Sequence, residues 1–311
     1  MTMCPDGFTT RYRIAKDTLI LDLGTRMRVL SSAPRGGGLR TTRYIVNHQV
    51  PSNPVRQATH SKWEHPARYL KRIAVDLGVD PDCVGLMTAV PMKQVVTCRE
   101  AQDGIWVECF STVGVTNAVR AGEPPPREEA DSTVRRAGTI NLMVVTNACL
   151  AVPALVCAVQ VVTESKTGVL RDHAVPSWTG RSGATGTGTD AVVVACALRG
   201  SGPRSDYAGT HTTIGSLIGR VVAECLTDVA GQPAHRFELL RLQQLRGQRL
   251  ALGDVAGDAE HGGDPPLGVA QRRRMRLHPA ARALQPDQLE LEPALAARGD
   301  GAGQRLEGLA E

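Results

Sequence analysis

Along the first 228 residues, hydrophobic residues recur either at every second position, as in strands, or at every third to fourth position, as in helices. The two patterns predict an order of strands and helices. Strands are predicted where short apolar runs alternate or continue: 18–23, 26–31, 105–113, 139–146 and 191–198. Helices are predicted at 66–77, 153–172 and 213–227. The first helix has Pro66 at its first position and Gly78 as its stop. Gly24 separates the first two strands, which predicts that they pair around it.

Strands and helices mixed in this order predict an α/β or α+β fold, a single layered domain in which packing helices cover a mixed sheet. The run 139–146 is continuous enough to be a central strand. Hydrophobic residues make up 42% of the 311 residues and charged residues 22%, as in globular proteins with a real core. Aromatic residues make up only 3%, which argues against binding to single-stranded nucleic acid by base stacking.

The composition changes at residue 229. Residues 229–311 contain no Ser, Thr, Ile, Lys, Asn, Cys, Tyr or Trp, and are rich in Arg, Ala, Leu, Gly and Pro. Such a segment has little with which to build a core. We therefore expect a folded domain over 1–228 and a poorly ordered tail over 229–311, which is either a linker-like extension or a misread frame of GC-rich DNA.

Charge and cysteine usage favour a cytoplasmic protein. The net charge is +5 and the basic residues are spread along the chain, which indicates a solvated charged face rather than a nucleic-acid surface. The eight cysteines form no C-x-x-C pair and several lie in apolar runs, as expected of buried free thiols in a reducing compartment. The sequence shows no apolar signal core and no membrane-length apolar run, so we expect no membrane partner.

Glycine and small polar residues are combined in six segments: 31–38, 114–122, 138–147, 163–172, 184–190 and 207–212. Glycine lets the backbone approach a ligand, and Thr and Asn both donate and accept hydrogen bonds. Each segment alone is equally well explained as a tight turn. Six together favour one shared site for a ligand rich in amide groups.

Two other kinds of site are disfavoured by spacing. Residues 186–191 (GTGTDA) match the glycine pattern of dinucleotide-binding loops, but the preceding residues are loop-like and a strand follows instead of a helix. This argues against a nucleotide-binding enzyme. The chain has no HExxH motif and no His/Cys quartet, so we predict no metal site and no cofactor.

The candidate acids and bases are Glu164, Asp172, Asp190 and His211. His211 follows the glycine-rich loop, and imidazole titrates near neutral pH, although packing at a helix start would also explain it. Glu164 and Asp172 are eight residues apart and share a helix face, with Lys166 between them pointing elsewhere. Glu164 follows an apolar stretch, so we expect it to be partly buried and suited to proton transfer, or to mark the end of the buried face.

Taken in order, these segments resemble the adenosylcobinamide amidohydrolase family over residues 18–228. The resemblance is carried by GVTNA (114–118), GTIN (138–141), TESK (163–166) with Asp172, ATGTGTDA (184–191) and YAGTHT (207–212), and also by SSAPRGG (31–37) and Asn47. The chain departs from the family at Ser165, where alanine is expected, and near Thr213 and Ser216, where lysine and glutamate are expected.

The resemblance implies hydrolysis of adenosylcobinamide to adenosylcobyric acid and aminopropanol, a salvage step toward cobalamin. The cobalt-containing corrinoid would then be the substrate and not a cofactor. A non-catalytic corrinoid-binding module is the alternative, and the ionisable groups among the polar segments favour the enzyme.

The mechanism is a hypothesis from chemistry. Amide hydrolysis needs a nucleophile, donors for the oxyanion and an acid for the leaving amine. The predicted catalytic residues are Asp190, His211, Glu164 and Thr187. The predicted substrate-binding residues are Asn117, Asn141, Asn147, Lys166, Asp172, Thr185, Gly186, Gly188, Thr189 and Thr210. The nucleophile is either water activated by Asp190 or His211, or the hydroxyl of Thr187 or Thr210.

Overall fold

The computed structural model describes residues 10–51, 64–124 and 138–230. The strands in these ranges are β1 (Arg11–Ala15), β2 (Thr18–Ser31), β3 (Gly38–Gln49), β4 (Val84–Thr88), β5 (Val96–Gln102), β6 (Ile105–Val113), β7 (Ala118–Val119), β8 (Ile140–Thr146), β9 (Cys149–Leu150), β10 (Gly186–Thr187), β11 (Ala191–Cys196) and β12 (Arg204–Ser205). The helices are α1 (Pro66–Asp76), α2 (Val152–Asp172) and α3 (Thr213–Ala230). The predicted tail beyond Ala230 lies outside the described residues.

The main sheet is mixed, in the order β4-β3-β2-β11-β8-β6-β5, with β1 beside β2. β3 and β4 are parallel, as are β8 and β11, and the other neighbours are antiparallel. All seven residues of β8 are buried, which confirms it as a central strand. The predicted fold class, a mixed sheet with packing helices, is confirmed.

The prediction of two strands paired around Gly24 is wrong. Residues 18–31 form one long strand, β2, and both of its halves pair with β3. The pairing register shifts between Asp22 and Met27, and Gly24 has a φ of +77°. The glycine therefore lies in an irregularity of a continuous strand, where residues 23–26 of β2 stand opposite the single residue Arg43 of β3.

The hairpin partner of β2 is β1, which the apolar pattern did not predict. β1 carries the sequence RYRIA and is mostly exposed, so it lacks an apolar run. Lys16 and Asp17 connect the two strands with φ values of 45° and 55°, the left-handed conformation that tight two-residue hairpins require.

Both faces of the sheet are covered. An inner core of Leu, Val, Met and Phe side chains includes Leu21, Phe110 and Met143. Across this core β1 approaches β6: the Thr10 amide donates to Glu108 Oε2 at 3.0 Å, and the Tyr12 and Phe110 rings meet edge to face at 5.4 Å. The part of the sheet that contains β1 therefore folds over the part that contains β6.

The helices cover the outer faces. α2 and α3 pack on the other side of β6, β8 and β11 and bury Leu155, Val162, Leu217 and Val221, among others. α1 packs over β3 and β4 through Ala74. Its predicted start at Pro66 is confirmed, and Gly78, with a φ of +67°, follows its end as predicted. The predicted extents of α2 and of the start of α3 are also confirmed.

The connection from β8 through α2 to β11 positions the polar segments. Because β8 and β11 are adjacent and parallel, their amino ends lie side by side. The carboxyl ends of β6 and β2 reach the same edge of the sheet, since Val113 pairs with Ile140 and Ser31 pairs with Val193. Four of the polar, glycine-containing segments therefore meet at this edge.

The described ranges contain no helix that is long and apolar enough to cross a membrane. The seven cysteines within the same ranges are all free thiols, six of them buried.

Candidate active site

Asp190 lies immediately before β11, and its carboxylate is the centre of a dense hydrogen-bonded group. Oδ1 accepts hydrogen bonds from the backbone amide of Ile140 at 3.0 Å and from the Thr187 hydroxyl. Oδ2 accepts from the Thr187 amide at 3.0 Å and from Lys166 Nζ at 2.5 Å. We call Lys166, Thr187 and Asp190, with the Ile140 amide, the Asp190 cluster.

The charges of the Asp190 cluster are largely removed from solvent. The side chain of Lys166 is 8% exposed and that of Asp190 is 12% exposed. Lys166 points from α2 into the protein, away from Glu164. An ion pair this deeply buried interacts strongly, and removal of either partner leaves an uncompensated charge that costs about 3–5 kcal/mol.

Gly186 leaves room for this ion pair. β10 pairs with β7, so that Gly186 lies opposite Val119 and Thr187 opposite Ala118. A Cβ atom at Gly186 would clash with Asp190 Oδ2 and lie 2.8 Å from Lys166 Nζ. The glycine is therefore required by the close approach of two charged side chains to the backbone.

The other threonines of this loop hold its shape. Thr185 Oγ1 accepts from the Ala121 amide at 2.9 Å, and Thr185 O accepts from Thr167 Oγ1 at 3.2 Å. Thr189 Oγ1 donates to Thr139 Oγ1 at 3.0 Å, while Thr139 Oγ1 donates to Thr189 O at 2.8 Å. Thr139 was not among the predicted site residues, although its position before a central strand in the GTIN block could have identified it.

The loop opens to solvent at Gly188. Gly188 is exposed, and no atom lies within 4 Å of the position that a Cβ atom would occupy there. Gly188 adjoins Thr187, which is itself 8% exposed, so the exposed backbone and the buried cluster are next to each other in the chain.

Asn117 lies beside the start of β8. Its Oδ1 atom is so close to Gly138 that a Cβ atom there would be only 2.5 Å away. Oδ1 is buried and has no hydrogen-bond partner within the described residues. Since buried polar atoms are nearly always paired, this acceptor is available to a donor supplied by water or a ligand.

Asn141 follows Ile140 but points into the opposite core. Its Nδ2 atom donates to Asn47 Oδ1 and to Met87 O, both at 2.9 Å, and Asn47 Nδ2 donates to Thr112 Oγ1 at 3.0 Å. These fully buried amides join β8 to β3, β4 and β6. Asn141 therefore fixes the amino end of β8 from the side of the strand that faces away from the Asp190 cluster.

Glu164 and Asp172 are not in the Asp190 cluster. The expectation that Glu164 is partly buried is wrong: it is exposed, because it lies on the solvent side of α2. It lines a shallow groove along that helix together with Thr163, Thr167 and Arg171. Asp172 is exposed at the end of α2.

Segment 207–212 is the loop that leads into α3. Thr212 Oγ1 accepts from the Gly215 amide at 3.0 Å, while Thr210 and His211 are exposed. Ser205, shortly before this segment, pairs with Leu150 beyond the carboxyl end of β8, whereas Asp190 bonds to Ile140 at the amino end of that strand. No hydrogen bond that the structure describes joins Thr210 or His211 to the cluster. The structure therefore does not bring Thr210 and His211 to the Asp190 cluster.

Asn147 lies at the opposite end of β8. Its Nδ2 atom donates to Gly104 O, and its Oδ1 atom accepts from the Trp106 amide, both at 2.9 Å. These bonds hold the turn between β5 and β6. Asn147 is thus separated from the Asp190 cluster by the length of the strand.

No three His, Cys, Asp or Glu side chains within 10–51, 64–124 and 138–230 are placed to hold a metal ion. The chemistry available at the Asp190 cluster is that of a hydroxyl and an ammonium group joined by one carboxylate.

Comparison with known sequences identifies the family. The sequence profile of the adenosylcobinamide amidohydrolase family matches residues 3–235. The chain belongs to this family. An adenosylcobinamide amidohydrolase of Methanosarcina mazei is 30% identical over 222 residues, covering 68% of this chain and 93% of the relative. An uncharacterised protein of Methanocaldococcus jannaschii is 30% identical over 223 residues, covering 66% of this chain and 82% of the relative.

The solved structure of a protein from Pyrococcus horikoshii aligns with 69% of this chain and with 76% of the Pyrococcus chain, at 11% identity and a TM-score of 0.30. A likeness this weak carries no conclusion about fold or function. The family resemblance drawn from the motifs is confirmed by the profile, and the name of the adenosylcobinamide amidohydrolase family supports hydrolase activity.

The departures from the adenosylcobinamide amidohydrolase pattern lie outside the Asp190 cluster. The Ser165 hydroxyl donates to a carbonyl of α3 and so links the two outer helices. Ser216 Oγ accepts from Arg220 at 2.7 Å on the surface of α3. Neither residue contacts Lys166, Thr187 or Asp190 through a hydrogen bond that the structure describes.

Proposed function

We propose that the chain hydrolyses the aminopropanol amide of adenosylcobinamide, a linear carboxamide, to give adenosylcobyric acid and aminopropanol for cobalamin salvage. Family membership supports the reaction class. The observation that carries the proposal to this site is the buried Lys166–Asp190 ion pair in contact with the Thr187 hydroxyl. Amide hydrolysis needs a nucleophile and a proton for the departing amine, and this cluster holds groups suited to both roles.

The surrounding groups suit an amide-rich substrate. The open backbone at Gly188 gives access, and the buried Asn117 Oδ1 offers an acceptor to an amide N–H. The corrinoid is the proposed partner, and its cobalt belongs to the substrate. Contact of the corrinoid with Glu164, Asp172, Thr210 or His211 stays a prediction, as does the cytoplasmic location.

The test is incubation of the purified chain with adenosylcobinamide, followed by mass-spectrometric measurement of adenosylcobyric acid and aminopropanol. We expect both products from the native chain. Replacement of Lys166 by methionine should lower the rate by about 10²–10⁴-fold, the usual contribution of a positioned acid or base. Lys71→Met, on the exposed face of α1, is the matched control and should keep the native rate.

Circular dichroism of both variants would show whether the fold is retained. Corrinoid binding without release of aminopropanol by the native chain would contradict the proposal and favour a binding module.

A further inference from the structure

The two oxygens of Asp190 connect two groups of different chemistry. Oδ1 accepts from the Thr187 hydroxyl, and Oδ2 accepts from Lys166 Nζ at 2.5 Å. The Thr187 and Ile140 amides fix the carboxylate between them. Proton transfer through this carboxylate can therefore couple the hydroxyl to the ammonium group without movement of the backbone.

We propose that Thr187, Asp190 and Lys166 form a catalytic triad in which Thr187 Oγ1 attacks the amide carbonyl of the substrate. This inference rests on the proposed function, because it assigns the nucleophile and the proton path of that reaction. Lys166, expected from the sequence to bind substrate, is here the acid that protonates the leaving amine.

The proton path closes in two half-reactions. In the first, Thr187 Oγ1 forms a bond to the carbonyl carbon and its proton passes to Asp190. The C–N bond then breaks, the amine leaves with a proton from Lys166, and Lys166 recovers a proton from Asp190. In the second, water forms a bond to the carbonyl carbon of the resulting ester, and the bond from that carbon to Thr187 Oγ1 breaks. The proton of the water passes through Asp190 to Thr187 Oγ1. The corrinoid carboxylic acid is released, and the triad returns to its starting state.

Position and bonding favour Thr187 over the other hydroxyls of these segments. Thr210 is exposed in the loop before α3, and no hydrogen bond that the structure describes joins it to Asp190. Thr139 and Thr189 bond each other, and Thr185 Oγ1 accepts from a backbone amide. Thr187 combines a bond to Asp190 with a position next to the open backbone at Gly188.

His211 is exposed in the loop before α3, and no hydrogen bond that the structure describes joins it to Lys166, Thr187 or Asp190. The proposed proton path therefore uses only groups of the triad.

The decisive measurement compares Thr187→Val with Thr187→Ser. Valine has nearly the shape of threonine but no hydroxyl, so release of aminopropanol should fall at least about 10³-fold, whereas serine keeps the nucleophile and should retain measurable turnover. Native and serine enzymes quenched in acid should carry a corrinoid acyl mass on the peptide that contains residue 187. With hydroxylamine present, both should form the corrinoid hydroxamate.

The outcomes separate the mechanism from the function. Native release of aminopropanol together with near-native turnover of Thr187→Val would overturn the triad and leave the proposed function standing, with water as the nucleophile. No release by the native chain would overturn both. An acyl mass on residue 187 that is absent from Thr187→Val would establish the covalent route.

Discussion

Side-chain type alone selects too many candidates at the scale of single residues. Thr187 and Asp190 were predicted as catalytic residues and lie together, and Lys166 joins them. Glu164 and His211 had equally suitable chemistry but are exposed elsewhere. The difference depends on which side of α2 faces the sheet and on where α3 begins relative to α2. Packing decides both, and the sequence specifies them only indirectly.

Gly186 offers a direct test of the crowding around the ion pair. Alanine at this position would force its Cβ atom into Asp190 Oδ2 and close to Lys166 Nζ. We expect Gly186→Ala to lower the free energy of unfolding by about 1–3 kcal/mol, as overpacking does, and to abolish measurable hydrolysis. Urea unfolding and the aminopropanol assay would measure the two effects.

Gly168 is the matched control, since it lies within α2 and no atom is within 4 Å of its missing Cβ position. Gly168→Ala should stabilise the helix by about 0.5–1 kcal/mol and leave the rate unchanged. If both alanine variants behaved alike, the crowding argument for Gly186 would be refuted.

At the scale of elements, strands and helices were predictable where one face or the whole element is buried. They were less predictable where a strand is exposed or its pairing register shifts. α1, α2, β6 and β8 have strong periodic or continuous apolar patterns and were predicted correctly. β1 was missed because an exposed hairpin strand needs few apolar residues. β2 was divided at Gly24 because a glycine inside a long strand has the same sequence signal as a turn.

The contact between β3 and α1 depends on a buried histidine, His48. Thr18 Oγ1 donates to Lys16 O, so it accepts from His48 Nδ1 at 2.8 Å. His48 Nε2 then accepts from Tyr69 OH at 2.9 Å. This arrangement suits neutral imidazole, and burial lowers the pKa of His48. Burial also raises the pKa of Tyr69, which keeps the phenol as a donor.

Stability should therefore decrease in acid. A histidine in the unfolded chain titrates near pH 6.5, above the pKa of His48 in the folded protein. Below pH 6.5 the unfolded state binds the proton first, and the free energy of unfolding falls until the folded-state pKa is reached. Asp17 opposes this shift of the pKa, and Arg72 adds to it.

Urea unfolding from pH 8 to pH 5 would measure the effect, with His48→Gln as the comparison. We expect the difference in unfolding free energy between the native chain and the glutamine variant to shrink below pH 6.5. A constant difference over the whole pH range would show that His48 does not contribute to the loss of stability in acid.

At the scale of the whole molecule, the convergence of polar segments was predictable in part. Segments 31–38, 114–122, 138–147 and 184–190 meet at one edge of the sheet because β2 and β6 end where β8 and β11 begin. The sequence shows that these segments are unusual. The order of strands in the sheet, which is set by long-range pairing, is what brings them together and separates 207–212 from them.

The described residues between 10 and 230 hold the whole of the Asp190 cluster, the large sheet and three helices. The family profile ends at residue 235, and the composition beyond it is poor in residues that build a core. A chain that ends at residue 240 is therefore expected to release aminopropanol at the native rate and to unfold at the native temperature. A chain that ends at Thr212 is the control, since it lacks α3 and the buried side chains of Leu217, Ile218, Val221 and Val222, and it should neither fold nor turn over substrate. If the chain ending at residue 240 lost activity while keeping its melting temperature, residues 241–311 would have a part in catalysis that the cluster alone does not supply.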